Sequence, residues 1–359
     1  MFTSADHGFM ARALELARQG LLTTTPNPRV GCVVVKDGAI VGEGWHRRAG
    51  EPHAELIALG EAGGRARGAT VYVTLEPCSH FGRTPPCVDA LVETRVGRVI
   101  AAMEDPNPTV NGRGLTKLRE AGIDVRCGLL QHEAVELNIG FVSRMSRGRP
   151  WVRLKLASSL DGLTALPDGT SQWITGEAAR RDGHAWRARA CAILSGIGTV
   201  RDDDPQLNVR HLETPRQPLK VIVDSHLAID LEAKALKGAP AWIACAVENP
   251  AKERELVDRG CELIRLPDAN GKVDLGALMA ELGRRGLNEV HVEAGYKLNG
   301  SLVRAGVVDE LLLYVAPALL GKGLGAFDLE APADLDGRRT LRFTDVERVG
   351  PDLRLMARF

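Results

Sequence analysis

The sequence predicts an α/β protein of two domains joined near Arg149. Three observations carry that expectation. The chain has 359 residues, and at roughly 150 residues per domain it divides into two. β-rich runs and helical stretches alternate on both sides of the proposed junction. The run LNIGFVSRMSRGRPW between them, residues 137–151, is crowded with Arg, Gly and Pro and reads as a boundary. The expected domains are therefore residues 1–148 and 149–359. A composition of 44% hydrophobic and 26% charged residues excludes a disordered chain. Lys and Arg number 46 and Asp and Glu also 46, so no basic excess exists for a nucleic-acid backbone. The apolar runs Val30–Val35 and Leu311–Leu320 are far shorter than the roughly 20 residues of a membrane span.

In the first half, Ser4 is the expected N-cap of a helix burying Phe9, Met10, Ala13, Leu14 and Ala17 and stopping at Gly20. VGCVVV and AIVGEGW flank Lys36-Asp37-Gly38, the signature of a hairpin. A helix over 52–62, strand TVYVTL, helix CVDALVETRV, strand RVIAAM, a helix over 115–121 and strand DVRCGLL follow. This order predicts three layers with a mostly parallel second half of the sheet. The second half restarts with strand VRLKLAS, a polar loop from Asp161 to Gln172, and a helix over 176–190 capped by Thr175. Strands AILSGI, VIVD, AWIACA, CELIRL, EVHVEA and ELLLYVAP come next, with helices at ERELVDRG and LGALMAELGRRG. The last two strands turn at Gly350-Pro351-Asp352 and form a hairpin.

One constellation in the first half carries chemistry. His53-Ala54-Glu55 opens a helix, Pro77-Cys78 follows a strand, and Cys87 starts another helix after Pro85-Pro86. One imidazole and two thiolates give Zn²⁺ three protein ligands and leave its fourth position for water, the arrangement of a catalytic site. Zinc lowers the pKa of that water to about 7. Glu55, two residues from His53, can stand beside the metal without binding it and carry protons. The order His-x-Glu…Pro-Cys…Cys is that of zinc deaminases. Singly, each residue is ordinary: His-x-Glu is a common helix pair and Cys a small buried hydrophobe. Seven cysteines form no disulfide framework. Cys32, Cys127, Cys191, Cys245 and Cys261 are expected in the core.

Eight residues separate the two cysteines, where the general signature has two. PCSHFGRTPPC, with TTPNPRVG before it and EDPNPTVNGRG after it, resembles the deaminase half of the bifunctional deaminase/reductase family of riboflavin biosynthesis. LKLASSLDG, SQWIT, TVRDDDPQLNVR, VIVDS, VEAG and VDELLLYVAPALLG resemble its reductase half, so the likeness spans nearly the whole chain. The resemblance implies a cytidine-deaminase-like three-layer domain and a dihydrofolate-reductase-like domain. It implies deamination of 2,5-diamino-6-ribosylamino-4(3H)-pyrimidinone 5′-phosphate, then reduction of the ribosyl chain to ribityl by NADPH. The product is 5-amino-6-(5-phosphoribitylamino)uracil.

By that resemblance zinc is held by His53, Cys78 and Cys87, and Glu55 transfers protons. Asn27, His46, His80, Arg83 and Asn107 contact the deaminase substrate. Asn offers a donor and an acceptor to a pyrimidine edge, and His and Arg suit a ribose phosphate. In the reductase half, Lys155 lies at the reaction centre. Ser171, Arg187, Leu207, Arg210 and Glu293 contact substrate. Ala157, Trp173, Thr199, Asp203, Ser225 and the segment Gly295, Tyr296, Lys297, Leu298, Asn299, Gly300, Ser301 line the NADPH site. That segment runs from a strand end into a helix, a backbone cradle for phosphate. No Gly-x-Gly-x-x-Gly fingerprint is present, and Gly196-Ile197-Gly198 alone is a weak signal. The family commonly carries Arg shortly after the Asp-Ser pair, where this chain has Ala228. A competing reading is a nucleoside or tRNA base deaminase fused to an unrelated α/β domain; the cysteine spacing and neutral charge oppose it. The N-terminus has no signal-peptide order, and a cytoplasmic homodimer is expected, with Leu311–Leu320 as the candidate interface strand.

Overall fold

The computed structural model describes residues 1–79, 85–108 and 110–359. Two compact units are present, Met1–Gly148 and Arg149–Phe359. The first contains α1 (Ser4–Arg18), β1 (Gly31–Lys36), β2 (Ala39–Trp45), α2 (Ala54–Ala62), β3 (Thr70–Val73) and α3 (Cys87–Thr94). Then come β4 (Arg98–Ala101), α4 (Arg113–Glu120), β5 (Asp124–Cys127), α5 (Gln131–Leu137) and α6 (Ile139–Arg147). Its sheet has the order β2-β1-β3-β4-β5, with β1 antiparallel to β2 and β3 and the remaining pairs parallel.

Thr3, not Ser4, caps α1. Its hydroxyl accepts from the Asp6 N–H at 3.1 Å while the Asp6 carboxylate accepts from the Thr3 N–H at 2.7 Å, a reciprocal capping box. The hairpin β1–β2 brings α2 close through glycine. A Cβ at Gly42 would stand 2.2 Å from the Ala58 carbonyl oxygen, and one at Gly44 2.4 Å from that of Ala54. Only glycine allows this approach, and the small face Ala54, Ala58 and Ala62 lies buried against the hairpin. The first turn of α2, which carries the His53–Glu55 motif, is thereby fixed to the sheet. The run expected as the domain boundary contains α6, with Ile139, Gly140 and Phe141 buried. The Asn138 amide docks it, accepting from the Arg29 N–H at 2.8 Å and donating to the Arg29 carbonyl at 2.9 Å.

The second unit begins with β6 (Trp151–Ser159), β7 (Leu163–Ala165), α7 (Glu177–Arg189), β8 (Ala192–Gly196), α8 (Ile197–Asp203) and β9 (Leu219–Val223). It continues with β10 (Ala241–Cys245), α9 (Pro250–Asp258), β11 (Glu262–Arg265), α10 (Leu275–Arg284), β12 (Glu289–Val292) and α11 (Tyr296–Arg304). It ends with β13 (Glu310–Ala316), β14 (Leu324–Gly325), β15 (Arg342–Val349) and β16 (Asp352–Arg358). The main sheet has the order β11-β10-β9-β8-β12-β6-β13-β16-β15, parallel as far as β13 and antiparallel beyond it. Alternate residues feed two cores: Ile193, Ile222 and Ile243 on one face, Leu194, Val221 and Ala244 on the other.

Three expectations need correction here. Gly176, not Thr175, is the N-cap of α7, and its N–H donates to Asp352 at 2.8 Å. The polar stretch from Asp161 to Gln172 contains β7, which pairs with β14. Residues 311–316 of the segment proposed as an interface strand lie in β13, hydrogen-bonded along both edges by β6 and β16, so this strand has no free edge to offer. A charged network lies where these strands meet. The Arg153 guanidinium is 2.6 Å from Glu310 and 3.2 Å from Glu289, and all three side chains are at most 2% exposed. Among the described residues no helix is long and apolar enough to cross a membrane.

Candidate active sites

His53 is the N-cap of α2, Cys78 lies in the loop after β3, and Cys87 is the first residue of α3. Their ligand atoms all lie within 4.8 Å of one another. His53 Nδ1 is 3.2 Å from Cys87 Sγ and 3.5 Å from Cys78 Sγ. A tetrahedral zinc shell with bonds of 2.0–2.3 Å puts its ligand atoms roughly 3.3–3.8 Å apart, so this set fits the ion. The electrostatics agree. The Cys78 thiol is made acidic by hydrogen bonds from the Cys87 thiol, His53 and the Cys87 N–H, the last at 3.3 Å. The Cys87 thiol is pushed up by its bond to Cys78, by burial and by Glu55. Two thiolates side by side call for a cation between them.

Glu55 sits in the first turn of α2 and is 3% exposed. Burial pushes its carboxyl above the usual range, while His53 pulls the other way. Its charge in turn pushes up the thiols of Cys87 and Cys32, for Cys32 after the larger effect of burial. His46 packs edge-on to His53 with ring centroids 5.3 Å apart. Its Nδ1 is 3.2 Å from the Pro52 carbonyl and so carries the proton, which leaves Nε2 to accept from the Asn27 amide at 3.0 Å. Asn27, His46 and His53 thus form one connected wall, with Glu55 two residues further along α2. Asn107 lies in the loop after β4, with its N–H donating to Asp105 at 2.8 Å. His80 and Arg83 lie outside the described residues. Cys32, Cys191, Cys245 and Cys261 are buried, and Cys127 is half-buried.

In the second unit the expected residues gather at the carboxyl ends of neighbouring strands, the usual ligand edge of an open parallel sheet. Lys155 and Ala157 project from β6, Thr199 follows β8 in α8, Ser225 follows β9, and Glu293 follows β12. Arg187 on α7 grips Glu293 through two bonds of 2.5 and 2.6 Å, and its other arm donates to the Asn208 carbonyl at 2.9 Å. Burial opposes the Glu293 charge, yet Arg187, His291 and Lys155 together hold that carboxyl well below the usual range. Burial pulls the Lys155 pKa below that of a free lysine, with Glu293 opposing and Arg187 adding to the effect. Arg210 is exposed and its N–H reaches His184 Nδ1 at 3.3 Å. Ser171 is half-buried.

Gly295 caps α11 without a side-chain bond, so the first amides of Tyr296, Lys297 and Leu298 open the helix without an intrahelical partner. Thr199 Oγ1 lies 3.7 Å from where a Gly295 Cβ would stand, which brings the two loops together. Trp173 is exposed with Arg180 stacked over it at 4.8 Å. Asp203 ends α8, its carboxyl raised by burial and by Asp202. Ser225 Oγ accepts from the Val273 N–H at 3.1 Å. Three residues are placed otherwise than a lining role suggests. The Leu207 side chain is buried in the core, leaving only its backbone to meet a ligand. Asn299 donates to the Ala294 and Ala326 carbonyls, and Gly300 packs on the Asp328 carbonyl. Sequence reasoning missed His291, buried and 3.2 Å from Glu293, and Glu76, whose carboxylate is buried beside the metal loop.

These two arrangements define a zinc-site deaminase unit followed by a reductase unit. Comparison with known proteins agrees with that division. Residues 3–103 match the cytidine and deoxycytidylate deaminase zinc-binding region, and residues 150–355 match the RibD C-terminal domain. The riboflavin biosynthesis protein RibD of Escherichia coli K12 is 48% identical, covering 97% of this chain and 98% of its own. The Haemophilus influenzae protein of that name is also 48% identical, over 99% and 97%. The Acinetobacter baumannii RibD structure superposes with a TM-score of 0.92 at 43% identity, covering 99% of this chain and 98% of its own. A Thermotoga maritima diaminohydroxyphosphoribosylaminopyrimidine deaminase/5-amino-6-(5-phosphoribosylamino)uracil reductase gives 0.87 at 35% identity, over 99% and 98%. The chain belongs to the RibD family. It is a bifunctional deaminase and reductase of riboflavin biosynthesis, with zinc and NADPH as cofactors.

Proposed function

We propose that His53, Cys78 and Cys87 hold the zinc and that Glu55 is the proton carrier of the deaminase. The substrate is 2,5-diamino-6-ribosylamino-4(3H)-pyrimidinone 5′-phosphate; water replaces its 2-amino group, and ammonia leaves. Zinc bound by the three donors supplies Lewis acidity and brings the pKa of a water to about 7. Glu55, buried with a raised pKa, accepts a proton at neutral pH and returns it to the departing amine. Asn27, His46 and Asn107 orient the pyrimidine, joined by His80 and Arg83 from outside the described residues.

In the second unit NADPH supplies the hydride, and the chain supplies position and charge. Lys155 faces the ribosyl carbon that becomes ribityl; its lowered pKa suits it to give the proton that accompanies the hydride. Arg187, Arg210, Ser171, Glu293 and the Leu207 backbone hold the phosphorylated substrate. Ala157, Trp173, Thr199, Asp203, Ser225 and residues 295–301 receive the cofactor, with the open α11 amides toward a phosphate. The enzyme works in the cytoplasm as a homodimer. Exposed Phe343 and Val346 on the outer strand β15 support a surface for a second copy.

The observation that carries the reading is the His53–Cys78–Cys87 cluster with the buried acid beside it. The test is to incubate the enzyme with the diaminopyrimidinone, with and without NADPH, and follow products by mass. The expected result is loss of the 2-amino group in both cases and gain of two hydrogens only with NADPH. Reduction without deamination would overturn the order of steps.

A further inference from the structure

Glu76 is 3% exposed and stands two residues before Cys78, and its carboxylate is taken up by backbone amides. Four amides donate to it. Oε2 accepts from the Asp105 N–H at 3.0 Å and the Gly112 N–H at 2.9 Å. Oε1 accepts from the Gly114 N–H at 2.8 Å and the Leu115 N–H at 3.4 Å. The Glu76 N–H itself donates to the Met103 carbonyl at 3.0 Å. Both ends of the loop between β4 and α4 are therefore tied to one carboxylate oxygen, and Asn107 lies between those ends.

Two further contacts close the same clamp. A Cβ on Gly114 would stand 2.1 Å from the Pro77 carbonyl oxygen, so the start of α4 rests directly on the segment between Glu76 and Cys78. Lys117 Nζ donates to the Ser79 carbonyl at 3.0 Å, one residue beyond Cys78. The segment 76–79 is thus held by α4 on either side of a zinc ligand, and the same acid fixes the loop that carries Asn107. A carboxylate meets four N–H donors without presenting a donor of its own, and the amide of glutamine cannot do so. The N-terminal end of α4 adds its dipole to the match.

We propose that Glu76 is the positioning residue that sets Asn107 in register with Cys78, and so fixes the pyrimidine relative to the metal. The inference rests on the reading of Asn107 as a substrate contact. Its role is reach rather than chemistry: Glu76 contributes no group to the reacting atoms.

The experiment uses full-length Glu76→Gln, Gly114→Ala, Asn107→Ala and the Glu76→Gln/Asn107→Ala double variant. Deaminase kcat and KM, zinc content and reductase activity are measured on each. Glu76→Gln is expected to raise the deaminase KM about tenfold, because buried amides lose their acceptor and the loop shifts. Zinc content, kcat and reductase activity stay near wild type. Gly114→Ala, which leaves the carboxylate intact but pushes α4 off Pro77, is expected to raise KM in the same way. The double variant is expected to be no worse than Asn107→Ala, since both changes act on one contact. A merely structural role would lower kcat and zinc together with KM unchanged, and that result overturns the proposal. Additive KM effects in the double variant overturn it as well. If Asn107→Ala alone keeps a wild-type KM, the substrate reading of Asn107 fails instead. If Glu76→Gln does not fold, Gly114→Ala decides: a wild-type KM there refutes the clamp.

Discussion

In the first unit, three donor atoms within 4.8 Å come from two helix starts and one loop, all reached within 35 residues of sequence. In the second, Lys155, Arg187, Ser225 and Glu293 come from four separate elements spread over nearly 140 residues. The first site is specified by residue type at fixed spacing, and its geometry follows from the α2 N-terminus packed on a glycine-lined hairpin with α3 against α2. The second is specified by strand order. Lys155 lies on β6, and Ser225 and Glu293 follow β9 and β12, all in the run of neighbours β9-β8-β12-β6, while Arg187 reaches Glu293 from α7. The lesson is mechanical. A motif site should fail sharply when one ligand is lost, whereas a site built from strand ends should depend on the integrity of the whole sheet.

The sharpest test of that contrast is Cys78→Ser or Cys87→Ser. Either leaves too few protein ligands, so metal analysis should find little zinc and deamination should vanish. Reductase activity in the same chain should persist. Full zinc occupancy in both variants would place the ligands elsewhere.

Next in size are Glu55→Gln and Lys155→Met. Glu55→Gln should keep zinc while deamination drops about 10²–10⁴-fold, the usual worth of a general acid–base group. Lys155→Met should leave deamination intact and let the deaminated ribosyl compound accumulate. Mixing the two variants should restore overall conversion, because each supplies the site that the other lacks. A mixture that stays blocked at the deaminated compound would show that intermediate does not pass through solution, and the picture of two independent sites would fail.

The contrast also explains what the sequence could reveal. His53, Glu55, Cys78 and Cys87 were legible because metal chemistry restricts residue type and order. The strands were legible because strands buried on both faces read as unbroken apolar runs, as in Ala192–Leu194 and Val221–Val223. Glu76 was not, because its partners are four backbone amides, which leave no trace in residue type. The run holding α6 was read as a domain boundary and its helix was missed, because Arg144, Arg147 and the following Gly148 stand out in its composition, while docking depends on Asn138 and a few buried residues. Leu311–Leu320 looked like an interface strand because an apolar run does not say whether its edges are already paired. The expected contacts Leu207, Asn299 and Gly300 face inward for a related reason: a matched motif names a position, not the direction of its side chain.

Sheet integrity is tested by Arg153→Met. The guanidinium lies between Glu289 and Glu310, and removing it takes a cation from two buried acids, leaving Arg189 on Glu289 and Arg358 with the Trp151 indole N–H on Glu310. Breaking such a buried pair costs about 3–5 kcal/mol. Denaturant unfolding should show that loss in the transition of the second unit, with reductase activity falling and deaminase activity unaffected. Equal destabilisation of both activities would mean that the two units do not unfold separately.

The smallest expected effect concerns His184, buried on α7 beside the Arg187–Glu293 pair. Its Nδ1 accepts from the Arg210 N–H at 3.3 Å, Arg187 stands 3.4 Å from Nε2, and the His211 ring packs edge-on at 4.5 Å. Burial, then Arg187, Arg210 and His211, drive its pKa down to about 3, with Glu293 opposing them. In the unfolded chain a histidine titrates near 6.5. Between those values the unfolded state takes up a proton that the folded state refuses, so stability is full above about pH 6.5 and declines as pH falls toward 3. His184→Asn removes the titration. Calorimetric unfolding between pH 7.5 and 4.5 should therefore show a steeper fall in wild type than in the variant, confined to the transition that carries reductase activity. Identical slopes would mean that His184 takes its proton in the folded state. The arginines around it would then have to move, and the second site would not stand preassembled as the first does.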